Sequence, residues 1–187
     1  MATNEEPPAE KVEKKPSPAT LQDGRVVLED TEDVKLLLQR GYGEKEKTHI
    51  ELSPFEALYL LSEGWVEVTE KRSKLTFQEL LTRFSGREPC VWSQYLIYRD
   101  LRERGYVVKG GFGLGVDFRV YERGTYGKSA AKYLVYGVFE GEPAPLNDLI
   151  NALSTAQNAK KELILGVIER RGEIVYYSLS RFTLQEQ

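Results

Sequence analysis

A short strand in the second half of the chain carries polar side chains that could meet a ligand. Alternation over residues 116–121 puts three apolar side chains on one face and Asp117, Arg119 and Tyr121 on the other. A carboxylate, a guanidinium and a phenol in one row offer charge and hydrogen bonds to a bound molecule. A solvated sheet face is the simpler interpretation when this strand is considered alone.

Three more basic residues lie at the ends of neighbouring predicted elements in the same half of the chain. Lys160 and Lys161 follow a predicted helix, and Arg181 ends an apolar strand. Lysines at the carboxyl end of a helix also complement its dipole, so they do not by themselves require a ligand. Between these positions, residues 128–136 are expected to form a loop that leads into a buried strand.

The elements that must position these side chains can be predicted from capping signals and periodicity. Ser53 followed by Pro54 and Glu56 predicts a helix start, and residues 75–79 repeat the same capping logic. Helical spacing also predicts helices near residues 34–38, 92–104 and 146–160. Strands are predicted at residues 25–28, 65–68, 106–108, 116–121, 133–139, 163–168 and 174–179.

These elements predict an α+β protein with two small domains. Residues 1–20 contain four of the eight prolines among Glu and Lys, and we expect a disordered tail there. An N-terminal α+β domain is expected over residues 21–86. A C-terminal domain, a mixed sheet flanked by helices, is expected over residues 87–187.

Composition excludes several classes of protein. The formal net charge is -3, so any RNA contact must come from a local basic patch. The single cysteine, Cys90, excludes a disulfide framework and a cysteine-based zinc site, and it favours a reducing, cytoplasmic setting. No apolar run approaches the roughly 20 residues that cross a bilayer, so we expect no membrane association.

Several of these segments, in this order, resemble the tRNA-intron endonucleases of archaea. The resemblance covers nearly everything after the tail and rests on motifs that are weak singly and specific together. The segments are residues 98–121, 132–135, 160–161 and 172–177 for that family's C-terminal, nuclease-like domain, and residues 41–44 and 52–61 for its N-terminal domain.

The resemblance implies a cleavage that needs no metal and no cofactor. The 2′-hydroxyl of the substrate attacks the adjacent phosphate and leaves a 2′,3′-cyclic phosphate and a free 5′-hydroxyl. The family uses a tyrosine, a histidine and a lysine, because the reaction needs a base, an acid and a cation beside the phosphate. Tyr121 matches the tyrosine, Lys161 matches the lysine, and Ala130 occupies the position of the histidine.

A second departure from the family concerns two arginines that are thought to clamp a bulged base between their planes. Arg181 matches one of them, whereas the other position falls near Ser154. The loss of both the acid and half of the clamp predicts a structural subunit that lacks cleavage activity of its own. Some phosphate contact from Lys160, Lys161 and Arg181 is still expected.

The resemblance also implies partners. The expected assembly contains two structural and two catalytic subunits acting on precursor tRNA with a bulge-helix-bulge. In the family an acidic loop of one subunit enters a basic cleft on another, and the matching loop here carries Glu140 and Glu142. The strand 174–179 is apolar for a chain end, so Tyr176 and Tyr177 are expected at a subunit seam.

Three alternatives remain at this point. The chain could be an active endonuclease in which Lys128 or Tyr126 replaces the acid, although groups with an ordinary pKa near 10 donate protons reluctantly at neutral pH. It could be a metal-dependent nuclease using Asp117 and Glu122, although no third carboxylate is evident. It could also be an RNA- or protein-binding module without a role in splicing.

Overall fold

The computed structural model describes residues 15–29, 31–111 and 113–182. The expected tail lies outside the described residues over positions 1–14. Two sheets and five helices make up the described chain, and the C-terminal sheet is mixed and flanked by helices. The predicted fold class, α+β with two parts, is therefore confirmed.

The N-terminal half builds a six-stranded sheet with three helices. Its strands, in the order β3-β4-β2-β1-β5-β6, and its helices are β1 (Ser17–Gln22), β2 (Arg25–Glu29), α1 (Glu32–Gln39), β3 (Glu44–Lys45), β4 (His49–Leu52), α2 (Pro54–Ser62), β5 (Val66–Glu70), β6 (Ser73–Lys74) and α3 (Phe77–Ser85). Both predicted capping boxes are present, at Ser53 with Glu56 and at Thr76 with Glu79. They satisfy amide groups that a helix start leaves without intrahelical partners.

Strand β1 corrects the expected end of the tail. Residues 17–20 belong to this strand, which pairs antiparallel with β2 and parallel with β5 in the middle of the sheet. Ala19 and Leu21 are buried on one face, and that burial orders a segment whose proline content suggests disorder. Order therefore extends at least eight positions upstream of Arg25, where the sequence suggested it would begin.

The C-terminal half builds a five-stranded sheet in the order β11-β10-β9-β8-β7. Its elements are α4 (Val91–Glu103), β7 (Val107–Gly110), β8 (Phe118–Tyr121), β9 (Tyr133–Phe139), α5 (Leu146–Asn158), β10 (Glu162–Ile168) and β11 (Ile174–Leu179). Strands β9 and β10 run parallel and are joined through α5, while the other neighbours are antiparallel. Helix α4 covers one face of this sheet and α5 covers part of the other.

One hydrophobic cluster joins the two halves. Helix α2 packs against α4, and the Phe55 ring lies 5.0 Å from Tyr98 and 5.1 Å from Phe118, between ring centroids. All three rings are buried in the cluster that also holds the interior of the N-terminal sheet. The division of the chain at residues 86 and 87 therefore stays a prediction. No helix in the described parts of the chain is long and apolar enough to span a membrane.

Candidate functional site

Three separate segments meet at one end of the C-terminal sheet. Strand β8 ends at Tyr121, β9 begins at Tyr133, and β10 begins at Glu162. The register pairs Val120 with Tyr133, and Tyr133 with Glu162. Tyr121 and Lys161 lie just beyond these pairs and are therefore brought to the same end of the sheet.

The two family-matched residues also share a face of the sheet. Arg119 and Leu163 both pair with Leu134, and Leu134 and Leu163 are buried against α5. Because side chains alternate along a strand, Tyr121 and Lys161 project toward this same α5 side. The arrangement that the sequence suggested for these two residues is compatible with the fold.

The Lys161 ammonium is engaged by the loop where the histidine would stand. Its Nζ donates a hydrogen bond to the carbonyl oxygen of Ala131. Ala130, the neighbouring residue, is exposed and carries only a methyl group, while Ala131 is buried. The Lys161 ammonium is thus hydrogen-bonded to a backbone carbonyl, and the neighbouring Ala130 offers no titratable group.

Tyr121 packs edge-on against Tyr126, with ring centroids 5.1 Å apart and planes at 90°. The Tyr126 ring in turn lies against Gly41 of the N-terminal half. Burial, together with the nearby Glu56 and Glu44 carboxylates, raises the pKa of the Tyr126 phenol above its ordinary value. A higher pKa makes this hydroxyl a weaker acid than a free tyrosine.

An ion pair closes the base of the loop that carries Ala130. Lys132 Nζ lies 2.7 Å from Glu122 Oε1, and the Tyr133 hydroxyl donates to the same oxygen at 3.4 Å. The hydrogen bond from Lys132 lowers the pKa of Glu122, and the same contact raises the pKa of Lys132. Glu122 is therefore a weaker base than a free carboxylate, and Lys132 is a weaker acid than a free ammonium.

The remaining predicted RNA-binding residues lie at this same edge. Leu179 pairs with Leu163, so Arg181, two residues beyond β11, lies across from the Lys161 position. Lys160 is exposed and adopts a positive φ of 53° where the chain leaves α5. Ser154, at the other clamp position, donates its hydroxyl to the Ile150 carbonyl at 2.8 Å within α5.

The acidic loop lies at the opposite end of the sheet. It follows the last residue of β9, Phe139, whereas the site lies before the first residue, Tyr133. Seven residues of extended strand separate the two ends by roughly 20 Å. Glu140 and Glu142 are exposed, and Glu140 Oε2 accepts the Arg170 amide at 3.2 Å.

The two tyrosines expected at a subunit seam have different surroundings. The Tyr176 hydroxyl donates to Asp100 Oδ2 at 2.8 Å, and the Arg104 guanidinium lies 5.5 Å from the Tyr176 ring centroid. Burial, and then the Asp100 carboxylate, raise the pKa of Tyr176 well above its usual range. Tyr176 is thus engaged with α4 of its own chain, whereas Tyr177 is 54% exposed on the other face.

Tyr177 belongs to an apolar area that α5 leaves uncovered. Strand β11 is an edge strand, and its register pairs Tyr177 with Leu165 and Val175 with Val167 on the α5 side. None of these four side chains is fully buried. We call these four residues the apolar sheet face.

His49 and Asp117, which alternative mechanisms would use, do not join Tyr121 and Lys161 at the sheet end. His49, the one histidine, begins β4 in the N-terminal sheet and pairs with Glu29. The Asp117 carboxylate accepts the Gly137 amide at 2.7 Å and the Gln94 amide nitrogen at 3.3 Å. Within residues 15–29, 31–111 and 113–182, no group of three or more acidic, histidine or cysteine side chains is placed to hold a metal ion.

Comparisons with known proteins match both halves of the chain. Residues 91–176 match the family model described as tRNA intron endonuclease, catalytic C-terminal domain, and residues 17–81 match tRNA intron endonuclease, N-terminal domain. A tRNA-splicing endonuclease of Methanococcus vannielii is 36% identical over 174 residues, covering 91% of this chain and 97% of the relative.

Two further relatives carry the same description. A tRNA-splicing endonuclease of Pyrococcus furiosus is 33% identical over 145 residues, covering 78% of this chain and 84% of the relative. One of Methanococcoides burtonii is 38% identical over 141 residues, which cover 75% of this chain and 39% of that longer relative.

Proposed function

The chain belongs to the tRNA intron endonuclease family, and from this premise we propose that it is a structural subunit of a tRNA-splicing endonuclease. It supports a catalytic subunit that cleaves bulge-helix-bulge precursor tRNA to 2′,3′-cyclic phosphate and 5′-hydroxyl ends. The observation that carries the proposal is the methyl group of Ala130 at the position to which the resemblance assigns the family's histidine.

The missing acid removes a large part of the rate. General acid catalysis contributes typically about 10²–10⁴-fold, because the leaving 5′-oxygen must be protonated as the bond breaks. The hydrogen bond from Lys161 to the Ala131 carbonyl adds to this loss, since an ammonium held by the backbone is less available to a phosphate. Tyr121 then acts as a packing residue or an RNA contact.

RNA contact by this subunit would be electrostatic and local. Lys160, Lys161 and Arg181 supply three positive charges at one sheet edge of a chain whose formal net charge is -3. Cations at this density bind phosphates without reading sequence. Ser154 supplies neither charge nor a plane, so one side of the proposed base clamp is missing.

The partner is proposed to be a related, histidine-bearing chain in a two-plus-two assembly. Support comes from the apolar sheet face, which a partner strand or sheet would cover, with Tyr177 as its exposed aromatic anchor. Glu140 and Glu142 lie too far from the site of their own chain to serve it, so they suit a basic surface on a neighbour. A reducing, cytoplasmic setting is part of this proposal and rests on the single cysteine, Cys90.

The alternative of an active chain with a substituted acid is less well supported. Of the two candidate donors, Tyr126 has a raised pKa because it is buried near carboxylates, and Lys128 is an exposed ammonium. Neither group donates a proton readily at neutral pH. The carboxylate of Asp117 is occupied by two protein donors, which leaves the metal-dependent alternative without a converging set.

The proposal is tested by reconstitution with a family member that keeps the tyrosine, the histidine and the lysine. Lys161→Ala in this chain should leave the cleavage rate of the complex nearly unchanged, whereas the matching substitution in the partner should abolish it. Tyr177→Asp in this chain is the matched variant for assembly and should reduce complex formation. Equal loss of cleavage from Lys161→Ala in this chain and from the matching substitution in the partner would contradict a structural role.

A further inference from the structure

A buried ion pair crosses the boundary between the two halves of the chain. Lys109 Nζ in β7 lies 3.2 Å from Glu56 Oε1 in α2, and their side chains are 7% and 1% exposed. Lys109 Nζ also donates to the Gly43 carbonyl at 2.8 Å. A fully buried charge pair is rare, because both groups lose their hydration when they enter the interior.

The same carboxylate has a second task at the start of α2. Glu56 Oε2 accepts the Ser53 amide at 3.0 Å and the Ser53 hydroxyl at 2.8 Å. One oxygen therefore caps the helix while the other holds a lysine from the opposite sheet. This shared use fixes the direction of α2 relative to β7.

The C-terminal half makes further contacts with residues 40–43, which we call the 40–43 segment. Arg102 Nη2 donates to the Arg40 carbonyl at 3.0 Å, and its guanidinium carbon lies 3.9 Å from the Tyr42 ring centroid. At Gly41, with φ of +82°, a β-carbon would lie 2.3 Å from Val107 Cγ1. The backbone here is thus too close to the other half for any residue except glycine.

Apolar packing alone would not set this arrangement. The hydrophobic cluster between α2 and α4 is extensive, but apolar attraction has little directional preference and tolerates sliding. Hydrogen bonds between charged groups have narrow geometric limits. The ion pair and the carbonyl contacts therefore select one orientation among those that the apolar surfaces allow.

We propose that Lys109, Glu56 and the 40–43 segment form a lock that holds the two sheets in one relative orientation. The lock also fixes the floor beneath the sheet end, because Tyr126 packs on Gly41 and on Tyr121. A subunit built this way presents its two halves to partners as one rigid surface. This inference does not depend on whether the chain is catalytic.

The lock is tested by a distance measurement across the two halves of the full-length chain. Cys90, which is exposed, is first replaced by serine. Spin labels are then attached at Lys74→Cys in β6 and Arg171→Cys in the β10–β11 turn, both exposed positions. The labelled chain is diluted with unlabelled chain, so that double electron–electron resonance measures only distances within one molecule.

The parent chain should give a single narrow distance. Lys109→Met, and Glu56→Gln, which keeps a side chain able to cap α2, should each cause loss of that single distance and a broadened distribution. Lys132→Met breaks the exposed Lys132–Glu122 pair and is the matched control, with no change expected.

A single substitution leaves an unpaired buried charge and can prevent folding, so the double variant Lys109→Met with Glu56→Gln is the deciding chain. It has no buried charge and should fold, which circular dichroism would verify. A broadened distribution in the double variant supports the lock. A distribution as narrow as that of the parent overturns it.

Discussion

At the scale of single residues, we expect the chemistry of the sheet end to depend on which atoms lie beyond the β-carbon of residue 130. Ala130 is exposed at the end of a loop whose base is held by the Lys132–Glu122 pair. Its neighbour offers a backbone carbonyl to Lys161. We expect an imidazole at position 130 to supply the missing proton donor.

Replacing Ala130 by histidine should therefore restore part of the family's activity. We expect Ala130→His to raise the single-turnover cleavage rate of a bulged precursor by about 10²-fold over the parent, at the lower end for general acid catalysis. The double variant Ala130→His with Lys161→Ala should return to the parent rate. A gain that survives this second substitution would show that the cleavage does not use the proposed site.

Two buried tyrosine hydroxyls should respond in opposite ways to the same substitution. The Tyr98 hydroxyl is buried and has no hydrogen-bond partner among the described residues, whereas the Tyr176 hydroxyl donates to Asp100 at 2.8 Å. Tyr98→Phe should leave the free energy of unfolding unchanged or raise it, since no bond is lost. Tyr176→Phe should lower it by about 1–2 kcal/mol, because a bond to a charged acceptor is removed.

Urea titration of both variants beside the parent measures the two changes. Equal destabilisation by Tyr98→Phe and Tyr176→Phe would mean that the Tyr98 hydroxyl has a partner in solution. The result bears on the interface as well, because it reports whether Tyr176 is engaged within its own chain.

Stability should fall at alkaline pH through buried phenols. Burial, followed by Tyr42 and Glu63, raises the pKa of Tyr59 to about 12. An unfolded tyrosine ionises near pH 10, so above that pH the unfolded state binds fewer protons than the folded state and stability declines as pH rises. The contribution of Tyr59 is fully present below about pH 10 and is lost between about 10 and about 12.

Tyr59→Phe has no proton to lose and should show a shallower decline in the urea midpoint over this range. Tyr106→Phe is the comparison at a half-buried ring. Parallel pH profiles for the parent and Tyr59→Phe would contradict the assignment of the decline to this phenol.

At the scale of elements, capping and alternation predict most helices and strands but not how they pair. The capping boxes at Ser53 and Thr76 and the apolar run over residues 174–179 give elements that the structure contains. Strand β1 is not evident from the sequence because it contains Pro18, follows a segment rich in Pro, Glu and Lys, and buries only Ala19 and Leu21. Its order comes from pairing with β5, some 50 residues away, which no local pattern encodes.

The candidate site was predictable in its residues and not in its contacts. The resemblance identifies Tyr121, Lys161 and the missing histidine at Ala130. The hydrogen bond from Lys161 to a backbone carbonyl cannot be predicted from residue types, because every residue has such a carbonyl. The Lys109–Glu56 pair joins residues 53 positions apart and is equally invisible locally. The sequence analysis places both Tyr176 and Tyr177 at a subunit seam. Neighbouring residues of a strand point to opposite faces, and only the position of α4 shows that Tyr176 lies against its own chain while Tyr177 is exposed.

The central position of β1 can be tested by placing a charge on each of its faces. Ala19 is 2% exposed, while Thr20 is half-buried on the opposite face. Ala19→Asp should prevent stable folding, because an unpaired carboxylate would enter the core. Thr20→Asp should lower the thermal midpoint only modestly, and a similar large loss in both variants would argue against the alternation.

At the scale of the whole molecule, the charged and apolar surfaces lie at different places, and we expect them to serve separate contacts with RNA and with protein. Cations gather at the sheet end with Tyr121, carboxylates gather in the loop after β9, and the apolar sheet face lies beside the edge strand β11. A chain with a formal net charge of -3 and this distribution suits assembly with a more basic partner. The interdomain lock would let these surfaces act in fixed relation to each other.

The exposed aromatic on that face offers a test of assembly. Tyr177→Asp should weaken association with the catalytic subunit by at least about tenfold, since loss of an aromatic hot-spot residue costs about 2 kcal/mol, which corresponds to roughly thirtyfold in affinity. Tyr176→Phe, on the other face of the same strand, should not change it. Sedimentation velocity of the mixed subunits reads the difference, and equal effects would place the seam elsewhere.

The most direct test of the account is a cleavage assay of the purified chain alone, at high concentration, on a bulge-helix-bulge precursor tRNA. We predict at most trace cleavage at either splice site, and rapid cleavage with 2′,3′-cyclic phosphate ends once a histidine-bearing family member is added. Clean cutting at both sites by this chain alone, and retained after removal of any contaminating nuclease, would contradict it.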